Sequence, residues 1–161
     1  MPVAEVVHTL QPADGVGDGF LMTRIPGETI ARKIQRDAAY TTARALLVRQ
    51  LGMAASALHR VPLAALPTLP VRSTAATLAA LQRRSAALPQ PDAVFEFALR
   101  WLQRHQPAEP ASLRLVHGDF RLGNVIVGPE GLRAVLDWEI AHLGDPAEDL
   151  AWVCLPPWRF G

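Results

Sequence analysis

Two stretches hold the side chains of this chain best suited to chemistry. The first is Leu115-Val116-His117-Gly118-Asp119-Phe120-Arg121-Leu122-Gly123-Asn124-Val125-Ile126-Val127, and the second is Ala134-Val135-Leu136-Asp137-Trp138-Glu139. Asp119, Asn124 and Asp137 each offer a hard oxygen. Gly128-Pro129-Glu130-Gly131 reads as a turn between two short apolar strands. A hairpin there brings Asn124 and Asp137 together at its open end, with Asp119 on the loop before it. Such a trio suits phosphoryl transfer. Magnesium takes hard oxygen ligands and keeps several waters, so one or two side chains suffice. A carboxylate beside an acceptor hydroxyl aligns it and takes its proton. Taken singly, the same residues have plainer readings. Asp119 and Asn124 are common turn formers, Asp137 could be a cap or ion-pair partner at a strand end, and His117 reads as structural. Their joint order points to chemistry.

The positioning elements follow from periodicity. Val3–Leu10 alternates and is rich in valine, and Phe20–Ile25 is apolar and closed by Pro26-Gly27. With Gly15, Gly17 and Gly19 between them, they predict a β-hairpin. From Asp37 the spacing of Ala38, Ala45, Leu46, Val48, Leu51 and Ala55 predicts a helix to Leu58. Val61–Val71 contains three prolines and reads as a loop. Helices are expected over Thr74–Leu88 and Asp92–Gln106, the second after a first-turn Pro91, with Val94, Phe95, Ala98, Trp101 and Leu102 as its apolar face. Strands are expected at Leu113–Val116, Val125–Val127 and Leu132–Leu136, and Pro146 opens a last helix through Val153. The mixture is α+β.

The motif order resembles the protein-kinase pattern, in which an Asp and an Asn five residues later share a catalytic loop and a metal-binding Asp follows. Gly118 stands where kinases have Arg, and Trp138-Glu139 where they have Phe-Gly. Together with Gly144-Asp145-Pro146-Ala147-Glu148-Asp149-Leu150-Ala151, this wording resembles the aminoglycoside phosphotransferase (APH) and choline kinase-like families. It is most similar to a branch associated with acyl-CoA dehydrogenases. The resemblance implies a protein kinase-like fold, mostly the helical C-terminal lobe (26–161) with the last hairpin and hinge of the N-terminal lobe (1–25). It implies an ATP-dependent phosphotransferase that moves the γ-phosphoryl group to a hydroxyl of a small molecule, with Mg²⁺. Asp119 is then the catalytic base, Asn124 and Asp137 the Mg²⁺ ligands, and His117 and Asp149 their supports. Thr23, Arg24 and Ile25 are the implied hinge residues that hold the adenine, with Ile25 as backbone donor. The acceptor is an aminoglycoside or, by the acyl-CoA dehydrogenase branch, a hydroxyacyl-CoA-like molecule.

The kinase-like pattern also includes a glycine-rich loop and a strand lysine, which have no counterpart here. Lys33, the sole lysine, follows the hinge. A truncated domain is therefore expected, with Phe20, Met22 and the apolar tail left exposed. The alternative function is a non-catalytic remnant that binds nucleotide weakly or a protein partner. A two-metal phosphohydrolase is a poorer fit, because His8, His59, His105 and His142 show no ligand spacing. A net charge of +1 gives no reason to expect nucleic acid or an anionic membrane as partner. The single cysteine, Cys154, rules out a disulfide within the chain and reads as a small buried hydrophobe. No signal pattern or membrane-length apolar run is present, which leads to a cytoplasmic expectation. The sequence is silent on oligomeric state.

Overall fold

The computed structural model describes residues 1–90 and 92–156. The predicted place of Pro91 and the exposure of the tail from Pro157 onward lie outside the described residues. The first hairpin pairs β1 (Val6–Thr9) with β2 (Phe20–Met22), antiparallel and shorter than the sequence suggests. Gly15 and Gly17 in its turn have positive φ, which costs a glycine nothing. Both strands are exposed along their whole length, Phe20 and Met22 included, as expected. The chain then crosses β4 (Val125–Gly128), where Glu28 and Val127 exchange backbone hydrogen bonds of 2.9 and 3.0 Å.

A short helix follows, α1 (Ala31–Arg36), which the sequence reading missed. It has no side-chain cap and is fixed by burial of Ala31 and Ile34, a tertiary effect that local propensity does not show. The long helix α2 (Thr41–His59) buries Ala43, Leu47, Leu51, Ala54, Ala55 and Leu58, spaced to form one face. That corrects the predicted face, because Ala45, Leu46 and Val48 point to solvent. Helix α2 packs on β5 (Gly131–Val135), and the Gln50 side chain accepts a 2.8 Å hydrogen bond from the Leu132 amide.

Ser73 caps α3 (Thr74–Ala86), and Asp92 caps α4 (Ala93–Arg104) through the amides of Val94 and Phe95. The two helices are linked by a very short hydrogen bond from the buried Ser85 hydroxyl to Glu96. Leu99 is the buried residue of α4, so the predicted apolar face is corrected as well. Val94 is 78% exposed, and Phe95, Trp101 and Leu102 are also open.

Strand β3 (Arg114–Val116) pairs antiparallel with β6 (His142–Gly144), and β4 pairs with β5 from Val125↔Val135 to Gly128↔Gly131. Strand β6 is too short to show alternation and was not anticipated. It also ties down the proline-rich loop, since Leu143 bonds the backbone of Pro70 and Arg72. Helix α5 (Ala147–Cys154) ends the described fold. Cys154 is exposed there, which corrects the expectation that it is buried. The core joins α1, α2, the loop after β3 and the β4–β5 hairpin through Ile34, Leu47, Leu51, Phe120, Val125, Val127 and Val135. No helix among the described residues is long and apolar enough to cross a membrane.

Candidate active site

The loop between β3 and β4 is held from behind by Asp149. Its side chain is 0% exposed, and both oxygens are used. Oδ2 accepts the His117 amide at 3.0 Å and the His59 Nε2 at 2.9 Å, and Oδ1 accepts the Gly118 amide at 3.0 Å. A buried carboxylate is tolerable only with such a full set of donors. His59 comes from the last turn of α2, ninety residues away in sequence. Nothing local in the sequence marks it as a partner.

His117 is fully buried and bridges two parts of the site. Its Nδ1 accepts from the Asp119 amide at 3.2 Å, and its Nε2 lies 2.7 Å from the Leu136 carbonyl. An accepting Nδ1 fixes the tautomer with the proton on Nε2, which donates to Leu136. The residue before Asp137 is thereby tied to His117, two residues before Asp119. The Trp138 indole packs on the His117 ring with centroids 4.5 Å apart and donates to the Val135 carbonyl at 3.2 Å.

Gly118 has φ +84°, and a Cβ there would stand 3.0 Å from the Ile140 carbonyl oxygen and 3.3 Å from the His142 ring. An arginine at this position would meet both obstacles, which explains the departure from the kinase wording. His142 is buried beneath the loop, 3.1 Å from Glu148 Oε2 and 3.0 Å from the Ile140 carbonyl. Burial works against its charge, but the Glu148 bond and the Ile140 carbonyl outweigh burial and hold the pKa above the ordinary imidazole value. The sequence reading assigned His142 no role.

Asp119 and Asn124 meet directly. The Asn124 Nδ2 donates to the Asp119 carbonyl at 3.0 Å and to its carboxylate at 2.6 Å. Arg121 Nε lies 2.9 Å from both carboxylate oxygens, an ion pair the sequence reading left without a role. Because the amide nitrogen of Asn124 is spent on Asp119, its Oδ1 is the atom left for a hard cation. Asp137 lies one residue beyond Leu136, whose amide bonds the Asn124 carbonyl at 2.8 Å, so register brings Asn124 and Asp137 to the same end of the hairpin. Asp137 has φ +66°, a left-handed conformation that Asp adopts more readily than most residues. The exposed Asp137 carboxylate and the Asn124 amide oxygen are each a hard donor of the kind Mg²⁺ takes. Among the described residues, no three or more His, Cys, Asp or Glu are grouped to hold a metal ion.

Asp137, Trp138 and Glu139 line one wall of a cleft of about 780 Å³. Val3, Val6, Phe20 and Met22 line the other, mostly apolar. Thr23, Arg24 and Ile25 follow Met22 and lie outside that lining. The Thr23 amide is bonded to the Glu5 carbonyl at 2.8 Å, and no other described residue engages the amides of Arg24 and Ile25.

The chain is similar to known proteins. The family model described as "Phosphotransferase enzyme family" (APH) matches residues 1–161. Acyl-CoA dehydrogenase family member 10 of Mus musculus is 50% identical over 62 residues, 37% of this chain and 6% of that protein. The crystal structure of an aminoglycoside-3'-phosphotransferase of type VIII is 26% identical with a TM-score of 0.59, covering 94% of this chain and 57% of the other. That of APH(3'')-Id from Streptomyces rimosus ATCC10970, in complex with ADP and streptomycin, is 21% identical with a TM-score of 0.63, covering 94% and 59%. The chain thus spans a little over half the length of these two structures and a small part of the dehydrogenase relative. Fold, motif order and a family match over its full length place this chain in the APH phosphotransferase enzyme family.

Proposed function

We propose that the chain carries the catalytic loop and metal-binding hairpin of an ATP-dependent phosphotransferase that acts, with Mg²⁺, on a hydroxyl of a small molecule. The observation that supports this best is the Asn124 amide bonded to the Asp119 carboxylate at 2.6 Å, on a loop whose backbone is clamped by buried Asp149. A pre-positioned carboxylate and a neighbouring amide oxygen are what an acceptor hydroxyl and a metal each need.

In this reading Asp119 aligns the acceptor hydroxyl and takes its proton. Asn124 and Asp137 hold Mg²⁺, which when bound neutralises charge on the phosphates. His117 and Asp149 keep the loop in register with the Asp137 strand. The segment 1–25 is the end of an N-terminal lobe and 26–161 belongs to the C-terminal lobe. The hinge residues Thr23, Arg24 and Ile25 hold the adenine. Ile25 is the preferred donor, because the Thr23 amide is already bonded to Glu5. The relative captured with ADP and streptomycin supports a nucleotide donor and a small hydroxylated acceptor.

The test is phosphoryl transfer from labelled ATP to a panel of aminoglycosides, choline and hydroxyacyl thioesters. Transfer to at least one acceptor is expected, with Asp119→Asn reducing it by roughly a thousandfold or more while Mg²⁺–ATP still binds. Nucleotide binding without transfer to any acceptor would favour a binding-only remnant. Unchanged transfer by Asp119→Asn would remove the base assignment.

A further inference from the structure

We infer that His142 is a positioning residue that acts as an imidazolium, donating from both ring nitrogens to hold the turn after Asp137 against the Asp119 loop. This rests on the function proposed above, and it adds a proton-dependent joint between the two stretches that carry Asp119 and Asp137.

The ring lies in a built slot. It is fully buried, and two glycines make room for it, Gly118 on the loop and Gly144 on its own strand. A Cβ at Gly118 would stand 3.3 Å from Nδ1, and one at Gly144 would stand 2.9 Å from Nε2. Both nitrogens face acceptors. Nδ1 is 3.0 Å from the Ile140 carbonyl, and Nε2 is 3.1 Å from Glu148 Oε2. A neutral imidazole carries one N–H and can serve only one of them, whereas the imidazolium serves both. Glu148 on α5 supports the positive charge, and Arg72, ahead of α3, opposes it. The other carboxylates on the adjoining segments are committed. Asp149 accepts from His59, His117 and Gly118, Asp145 from the Ala147 amide, and Asp119 from Asn124 and Arg121. His117 has its Nδ1 spent on the Asp119 amide.

The Ile140 carbonyl is where turn and loop meet, since its oxygen would lie 3.0 Å from a Cβ on Gly118. The turn itself is closed by the Ala141 amide on the Trp138 carbonyl at 3.1 Å, directly after Asp137. With the Nδ1 proton in place, the Ile140 carbonyl is fixed. When the ring loses a proton, the remaining N–H stays with the carboxylate, the stronger acceptor. Nδ1 then turns a lone pair on the Ile140 oxygen. The turn is pushed away from Gly118, and Asp137 loses its fixed distance from Asp119. The folded-state pKa of His142 lies above the ordinary value, because the bonds to Glu148 and Ile140 outweigh burial. The joint is therefore closed below that folded value and opens as pH rises through it.

Nitrogen-15 NMR of the full chain labelled at histidine tests the ring state directly, with His142→Gln assigning its signals among the five histidines. Both His142 nitrogens should be protonated at about pH 6.5, and the Gly118 and Ala141 amide shifts should titrate with the ring. A singly protonated ring at that pH overturns the proposal, as do Gly118 and Ala141 shifts that ignore the ring. Calorimetry with Mg²⁺–ATP gives the functional readout. Affinity should fall roughly tenfold as pH rises through the His142 midpoint, the size of one charge-assisted hydrogen bond. Glu148→Gln, at a half-exposed position, should move that fall to lower pH. His142→Gln keeps N–H donors but does not titrate, and should flatten the profile. Thermal melting of each variant reports folding. The same pH profile in wild type and Glu148→Gln overturns the positioning role. Wild-type chain that binds no nucleotide at any pH overturns the function on which this rests, while the ring and amide titrations still decide whether an imidazolium grips Gly118.

Discussion

The two hairpins of this chain are built on opposite principles. The β4–β5 hairpin is buried almost throughout, with Val125, Val127 and Val135 in the core, backed by α2 and reached by Phe120 from the loop before it. The β1–β2 hairpin has no buried residue, and Leu21 is 55% exposed. Their charge pairs differ in the same way. His8 and Asp14 pair at 3.3 Å in the open turn of the first hairpin, where solvent screening leaves little net gain. Asp149 and His142 sit beneath the Asp119 loop with no exposed side-chain surface. Burial is concentrated around the loop and hairpin that carry Asp119 and Asn124. The other wall of the cleft is a thin ribbon.

Perturbing the buried clamp should have the largest effect. Asp149→Ala leaves the amides of His117 and Gly118 without an acceptor and His59 without its partner, so a loss of about 3–5 kcal/mol in urea denaturation is expected. A loss below about 1 kcal/mol would mean that the clamp is not what holds the loop. Gly118→Ala should cost about 1–3 kcal/mol, from positive φ and the approach to Ile140. A neutral result there would show that the loop can shift away from His142.

The His142–Glu148 pair gives a pH signature. The folded-state pKa of His142 is raised above 6.5. Its contribution to stability is therefore fully present below about pH 6.5 and is lost as pH rises through the higher folded value. The melting-temperature gap between wild type and Glu148→Gln should be wider near pH 5.5 than near pH 8.5. A gap that widens toward alkaline pH would contradict the assignment. The smallest effect belongs to the first hairpin, where Leu21→Ser should change stability by no more than about 0.5 kcal/mol. A larger loss would show that this ribbon is packed more firmly than its exposure indicates.

The sequence made one hairpin far more readable than the packing around it. Residues 117–124 and 137 could be placed because turn chemistry, strand length and motif order agree over a short span. His59 could not, because its partner Asp149 is ninety residues away and only the fold joins them. The buried side of α2 was misread at Leu46 and Val48, since a helix rich in alanine and leucine has apolar residues on more than one side. Helix α1 and strand β6 span six and three residues, too short for any period to show. Arg121 was visible in the motif, but only the geometry shows it lying on Asp119.

In the proposed function, Asn124 and Asp137 hold a metal together with nucleotide. Electron paramagnetic resonance with Mn²⁺ in place of Mg²⁺ tests it most directly. ATP is expected to bring Mn²⁺ into the bound state on the wild-type chain, with Asp137→Asn and Asn124→Ala abolishing this and Asp119→Asn retaining it. Equal Mn²⁺ binding by wild type and Asp137→Asn in the presence of ATP would contradict it.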